Sequence, residues 1–319
     1  MLPRLRETGP RFERITRRAA EQLSFERGLI LPSRQWYLGF CETLRRIEEQ
    51  LASCSGHRLM NAPPDIAAMF DKRHCHQRLS QAGIPVPRGL GPVRSFDKLV
   101  ECMRQAGCYR VFVKLAHGSS ASGVVAYQTD GQRHQATTTV EMVRERGELR
   151  LYNSRRIHVY REQREIVDLI DALCRHRVHV EQWLPKAGFD NRTFDLRVVV
   201  IGAEARHVVV RMSRSPMTNL HLLNARGDIE AVLARMGSTA WDAARRTCER
   251  VMDCFAGNLY AGIDLLIASG YRRHAVLEVN AFGDLLPGIL YDGLDTYAAE
   301  VLELLAEERV QPPCSTPAN

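Results

Sequence analysis

The sequence predicts an α+β fold built on antiparallel sheets. Helical and strand-like segments are mixed without the strict strand–helix–strand alternation that a parallel sheet requires. Two alternating apolar runs, "DLRVVVIG" and "RHVVVRMS", are separated only by a short turn and read as a hairpin. A second pair, "YAGIDLLIA" and "HAVLEVN", is joined by the basic turn "SGYRR".

Along the chain, "FCETLRRIEEQL" at 40–51 has the apolar spacing of an amphipathic helix, and "NAPPD" at 61–65 interrupts it. Asp71 caps a helix, "DKRHCHQRLSQAG", that stops at Gly83; "SFDKLVECMRQAG" at 95–107 repeats this arrangement with a Ser cap and a Gly stop. A strand, "RVFVKLA", then a polar loop, "HGSSASG", and a returning strand, "VVAYQ", come next, followed by a strand at "ATTTVEMV". A helix near 161–174 leads into "RVHVEQWL", a strand ending in an aromatic segment. "SPMTNLHLLNARGD" reads as a long loop, and helices are expected at about 239–256 and 293–308 before a Pro-rich tail.

At 319 residues the chain can bury more than one packed lobe. No apolar run approaches the length of a membrane span, and the charged N-terminus does not read as a signal peptide. Nine cysteines without a C-x-x-C pair point to reduced thiols and a cytoplasmic location. "RHCH" at 73–76 is not read as a metal site, because adjacent residues on a helix diverge. The net charge of +7 raises nucleic acid as a partner, but the arginines are scattered among Asp and Glu with no interleaved aromatics, which argues against it.

The lysines are more informative. Only four of the 44 basic residues are lysine: Lys72, Lys98, Lys114 and Lys186. A chain so biased to arginine keeps lysine where the compact ammonium matters, with chance survival as the alternative, preferred for Lys98 on a polar helix face.

Two constellations carry chemistry. In "VKLAHGSSASGV", Lys114 ends a strand and residues 118–123 form a loop of small residues whose N–H and O–H groups can approach a phosphate. It is not a Walker A loop, and without the lysine a plain turn would read equally well. In "GIDLL" and "LEVN", Asp264 lies inside an apolar strand, and Glu278 and Asn280 share one face of another strand, opposite Leu277 and Val279. A buried carboxylate needs a partner, and three oxygen ligands on adjacent strands suit Mg²⁺ completed by nucleotide phosphates.

In this order, "DK" at 71–72 before "AGIPVP", "VFVKLAHGSSASGVV", "VEQWL", "FDLRVVVIG", "TNLHLLN", "GIDLL" and "VLEVNAFGDLLPG" resemble the ATP-grasp superfamily over residues 65–308. The resemblance is greatest to its RimK-type carboxylate–amine ligases, and "HGSSASGV" and "FGDLLPG" resemble a bacterial branch of it. It implies two α+β lobes clasping ATP between antiparallel sheets. The expected organisation is a truncated N-terminal, pre-ATP-grasp region at 1–65, a first lobe at 66–180, a second lobe at 181–309 and a tail at 310–319. The N-terminal region departs from the family's usual Rossmann-like opening lobe.

The resemblance also implies roles. Lys72 and Lys114 contact the ATP phosphates, and Gly118, Ser119, Ser120, Ala121, Ser122 and Gly123 form a lid over them. Glu181, Gln182, Trp183 and Leu184 form the hinge, with backbone groups of Gln182 and Leu184 reading adenine, and Asp195 accepts the ribose hydroxyls. Asp264, Glu278 and Asn280 hold one or two Mg²⁺ ions, with Mn²⁺ as an alternative. Arg197, Arg211 and Asn219 face the transferred phosphoryl group or the acceptor carboxylate; His117 and His221 are bystanders, and Ser215 stands where some RimK-type enzymes carry an acidic residue.

The implied reaction joins a carboxylate to an amine through an acyl phosphate, releasing ADP and phosphate. Its partners are small-molecule or peptide carboxylates and amines, with no membrane partner; a homodimer stays open. Positioning and charge neutralisation are what phosphoryl transfer asks of a protein, and no nucleophile-elbow context competes with that reading. The alternatives are a small-molecule kinase on the same fold and a non-catalytic ATP-binding regulatory protein.

Overall fold

The computed structural model of the chain describes residues 14–283 and 286–310. Residues 1–13 of the expected N-terminal region, Asp284 and Leu285 of "FGDLLPG", and residues 311–319 of the expected tail lie outside the described residues. Among the described residues no helix is long and apolar enough to cross a membrane.

The first half begins with helices α1 (Arg17–Glu21), α2 (Ser33–Leu51), α3 (Pro63–Phe70), α4 (Lys72–Gln81) and α5 (Phe96–Ala106). Strands β1 (Arg110–Leu115), β2 (Val125–Thr129), β3 (His134–Glu145) and β4 (Glu148–Tyr160) follow, then α6 (Gln163–Cys174) and β5 (Val178–Gln182). The second half contains β6 (Gly188–Phe189), β7 (Arg192–Ile201), β8 (Glu204–Ser213), a 3₁₀ turn at Leu220–Leu222 and β9 (Ala225–Gly227). It ends with α7 (Ile229–Met236), α8 (Ser238–Asp253), β10 (Tyr260–Ile267), β11 (His274–Asn280) and α9 (Thr296–Val310).

Two antiparallel sheets result. The first has the order β4-β3-β2-β1-β5; the second runs β11-β10-β7-β8-β9, with β6 paired to β7. The long hairpins close through two-residue turns whose central residues both take positive φ: Arg146 and Gly147 between β3 and β4, Gly202 and Ala203 between β7 and β8. Such turns match the right-handed twist of the flanking strands.

Each sheet has its own core. Phe96, Leu99, Val111, Val113, Tyr127, Leu169, Ile170 and Leu173 fill the space between the first sheet and helices α5 and α6. Phe194, Leu196, Val198, Val210, Val251, Phe255, Ile263 and Leu265 form the second core with α8. Ala68, Met69, Cys75 and Leu79 belong to this second core as well. Helices α3 and α4, expected to open the first lobe at residue 66, therefore pack on the second. The helix cap expected at Asp71 is formed by its side chain, which accepts from the Arg73 and His74 N–H groups. Ser95 caps α5 in the same way.

Strand β4, α7 and β9 have no counterpart in the sequence reading. The β4 run "ELRLYNSRRIHVY" is interrupted by Asn153, Ser154, Arg155 and Arg156, so its period of two is hidden; pairing along β3 makes it a strand. A small cluster bridges the lobes: Ala121, Val124 and Ala126 of the first pack on Met217 and Leu222 of the second.

Candidate active site

Residues of both sheets line one pocket. It is lined by three of the four lysines, Lys72, Lys114 and Lys186. Lys98 lies instead on an exposed helix face, paired with Glu101 at 2.8 Å. Of the other expected residues, Gly118 to Ser122, Glu181, Gln182, Leu184, Asp195, Arg211, Asn219, Asp264 and Glu278 line the same pocket.

Strand register explains the convergence. On adjacent strands β7, β10 and β11, Arg197 lies opposite Asp264, and Asp264 opposite Glu278; on β7 and β8, Asp195 lies opposite Arg211. Side chains directly opposite in a pair are neighbours on one face, so the second sheet presents alternating charge towards the first lobe. Arg211 reaches Asp195 at 2.8 Å and Asp264 at 3.0 Å. Arg197 donates to the other Asp264 oxygen, and Lys186 reaches Asp195 at 2.8 Å and the Thr218 hydroxyl at 2.7 Å. Lys72, at the start of α4, spans from Glu278 at 2.6 Å to the Gly118 carbonyl at 2.7 Å. Lys114 pairs with Glu181, whose other oxygen is 3.1 Å from His179 Nε2.

These pairs set the ionisation. Burial alone would push the Glu181 carboxyl up, but Lys114 and His179 hold it down at about 2. Asp264 and Asp195 are likewise buried yet held below the carboxylate range by Arg197 and Arg211, and by Arg211 and Lys186 respectively. Burial lowers the Lys186 pKa despite Asp195, whereas for Lys114 the pull of Glu181 outweighs burial.

The loop at 118–122 is held tightly. Ser120 and Ala121 adopt positive φ, and a Cβ on Gly118 would meet the Ser122 carbonyl oxygen at 2.9 Å. The Thr139 hydroxyl fixes the loop by donating to the Ala121 carbonyl. With the loop in this position the pocket encloses about 70 Å³, far below the roughly 300 Å³ or more of a small-molecule site.

Several expected residues stand elsewhere. Gly123 faces the first core, where a Cβ would strike Leu115 at 2.5 Å. Trp183 turns away from the pocket to pack on Phe112, 5.3 Å between ring centroids, with Arg110 over its face. Arg197 sits behind Asp264 and does not line the pocket. Asn280 is also outside the lining, its amide donating to the Gly262 carbonyl at 3.0 Å. Asp195, within the lining, accepts from Arg211 at one oxygen and from Lys186 and Thr218 at the other. Gln182, within the lining, donates its N–H to the Arg88 carbonyl at 2.8 Å.

Strict alternation also fails in β11. A bulge opposite Asp264 and Leu265 leaves Leu277 unpaired in the ladder. Leu277 therefore lines the pocket beside Glu278, while Val276 and Val279 enter the second core. Sequence reasoning also missed Lys186, Thr218 and the apolar lining from Phe112, Met217 and Leu266. The scarcity of lysine was the available signal for Lys186.

No family model matches the chain, and no curated protein matches it. Solved structures do. The D-alanine–D-alanine ligase from Bacillus anthracis complexed with ATP superposes at a TM-score of 0.51 and 10% identity, covering 83% of this chain and 76% of that one. The macrocyclase MdnC bound with precursor peptide MdnA, from Microcystis aeruginosa, gives a TM-score of 0.49 at 15% identity over 89% and 74% of the chains. A RiPP-associated ATP-grasp ligase from Chryseobacterium gregarium, in complex with ADP and a leader and core peptide, gives 0.49 at 12% over 85% and 68%. The first of these likenesses shows the fold: two α+β lobes of the ATP-grasp type.

Proposed function

We propose that this ATP-grasp chain is an ATP-dependent ligase joining a carboxylate to an amine through an acyl phosphate, with release of ADP and phosphate. The observation that carries the proposal is the meeting of Lys72, Lys114 and Lys186 with Asp264 and Glu278 beneath a Gly/Ser loop in one pocket between the lobes. In a chain with forty arginines, three compact cations converge where a polyphosphate would need them.

The residues divide the work. Lys72 and Lys114 bind phosphate oxygens as they leave Glu278 and Glu181, and the loop at 118–122 covers them with backbone and hydroxyl donors. Phe112, Val124, Leu184, Met217 and Leu266 supply apolar walls suited to a base. Arg211 holds Asp195 and Asp264 in register and presents positive charge to the transferred group.

The donor set also fits a divalent cation. Asp264 and Glu278 are cross-strand neighbours on the pocket wall, and hard oxygen ligands shared with phosphates are what Mg²⁺ takes. Among the described residues no three His, Cys, Asp or Glu side chains group into a metal site. When bound, Mg²⁺ neutralises phosphate charge.

In the first half-reaction an acid's carboxylate oxygen attacks the γ-phosphorus and the bond to ADP breaks. In the second, the amine displaces phosphate from the acyl carbon and loses a proton. Closure of the loop excludes water, which would hydrolyse the acyl phosphate. Calorimetric titration of Mg·ATP into the chain and its Lys114→Met variant tests the nucleotide half. Hydroxylamine trapping of the acyl phosphate tests the transfer.

A further inference from the structure

His179 stands between the pocket and the outer surface of the chain. On β5 it lies opposite Lys114 of β1, and Glu181, two residues on, lies opposite Phe112. Residues two apart on a strand share a face, so Lys114, His179 and Glu181 form one cluster on the first sheet. Lys114 is 2.5 Å from Glu181 Oε1, and His179 Nε2 is 3.1 Å from Oε2. A carboxylate only accepts, so Nε2 carries hydrogen whether the ring is charged or neutral. Nδ1 is the atom that gains or loses a proton.

The same ring lines a surface groove of about 460 Å³, whose charged and titratable lining is Arg73, His76 and Arg88 besides His179 itself. His76 of α4 packs on His179 with ring centroids 4.9 Å apart, and its own Nε2 donates to the Pro87 carbonyl at 2.7 Å. Among the described residues Nδ1 of His179 has no hydrogen-bond partner, yet it is not sealed from solvent. While Lys114 stays on Glu181 the ring is neutral near pH 7. Burial outweighs the pull of Glu181, Lys114 and His76 add repulsion, and the pKa lies below the usual 6.5.

Nucleotide binding upsets this balance. Glu181 is 2 % exposed, and once Lys114 turns to the phosphates its carboxylate is buried without a cation. A lone buried charge is costly, whereas protonating the imidazole already bonded to it restores an ion pair. We propose that His179 is the cation that replaces Lys114 beside Glu181, so that nucleotide binding draws a proton from solvent onto Nδ1. His76, Arg73 and Arg88 oppose that charge from the groove side; Glu181 favours it, and Lys114 opposes it less as it moves away. His179 is thus a positioning residue that frees Lys114 for the phosphates. The inference rests on the nucleotide half of the ligase reading, in which Lys114 leaves Glu181.

The test titrates Mg·ADP calorimetrically into the full chain at pH 7, in buffers of differing ionisation enthalpy. His179→Gln is the comparison, because its amide can still donate to Glu181 but takes no proton. The wild type should take up about one proton per nucleotide, and its affinity should fall by up to about tenfold per pH unit as pH rises. His179→Gln should show neither effect, and Glu181→Gln, with no charge to compensate, should also lose the uptake. Without nucleotide, the His179 imidazole followed by NMR should titrate at higher pH in Lys114→Met than in the wild type. Binding without proton uptake, equal uptake in His179→Gln, or an unmoved imidazole in Lys114→Met overturns the proposal and leaves the nucleotide reading standing. Failure of the wild type to bind Mg·ADP at all overturns the nucleotide reading, and this proposal with it.

Discussion

Asp264 and Glu278 face each other across β10 and β11, yet their charges are compensated from different directions. Asp264 is clamped by Arg197 and Arg211 within its own sheet, whereas Glu278 is held by Lys72 from α4. Asp264 is 4 % exposed; the Glu278 side chain is about a quarter exposed, and its partner also contacts the loop. The two carboxylates therefore play different structural parts within one wall.

That difference predicts different costs. Asp264→Asn leaves two buried guanidiniums without their shared carboxylate and should destabilise the chain by roughly 3–5 kcal/mol. Glu278→Gln, losing a more exposed pair, should cost only about 1 kcal/mol. Both should abolish turnover. Thermal and urea unfolding check the stabilities; equal costs would show that the two pairs are equivalent.

Lys114 is predicted to act on nucleotide affinity separately from stability. Lys114→Met should weaken Mg·ATP about tenfold to a hundredfold and also lower the melting temperature, because the buried Glu181 is left with His179 in place of a cationic partner. Adding Glu181→Gln should recover much of the melting temperature but none of the affinity. Recovery of both by the double variant would show that the pair serves the fold alone.

Much of this site was legible beforehand because its signals are local. A carboxylate inside an apolar strand and a lysine ahead of a small-residue loop mark their positions without knowledge of the fold. What was not legible depends on register. The bulge that turns Leu277 into the pocket exists only in the pairing of β10 with β11. The capture of Asp195 by Lys186 and Thr218 joins a hinge segment, a strand and a loop. Strand β4 was hidden for a related reason, since its polar stretch becomes a strand only beside β3. The packing of α3 and α4 on the second core follows from tertiary contacts of Met69 and Leu79 that no periodicity encodes.

Glu300 on α9 supplies a pH prediction outside the site. It is 4 % exposed with one carboxyl oxygen unpartnered, and burial, aided by Asp295, raises its pKa from 4.5 to about 7. Between those values the folded chain keeps a proton that the unfolded chain releases, so stability falls as pH rises from about 4.5 through 7. Glu300→Gln should melt at a higher temperature than wild type at pH 8, with the difference shrinking towards pH 4.5. A difference independent of pH would show that Glu300 does not titrate in this range.

Gly123 tests the loop's anchorage. It has a φ of +66° and no room for a Cβ beside Leu115. Gly123→Ala should therefore lower the melting temperature by several degrees, whether or not nucleotide is present. Unchanged melting would mean that the loop base shifts freely.

The central claim is that this pocket makes an acyl phosphate, and hydroxylamine tests it most directly. The chain is incubated with Mg·ATP, hydroxylamine and, one at a time, amino acids, dicarboxylates and apolar acids, and hydroxamate and ADP are quantified together. The account predicts an acid that yields hydroxamate and ADP in equal amounts, with neither formed by Lys114→Met. ADP accompanied by a stable phosphorylated alcohol and no hydroxamate would contradict it.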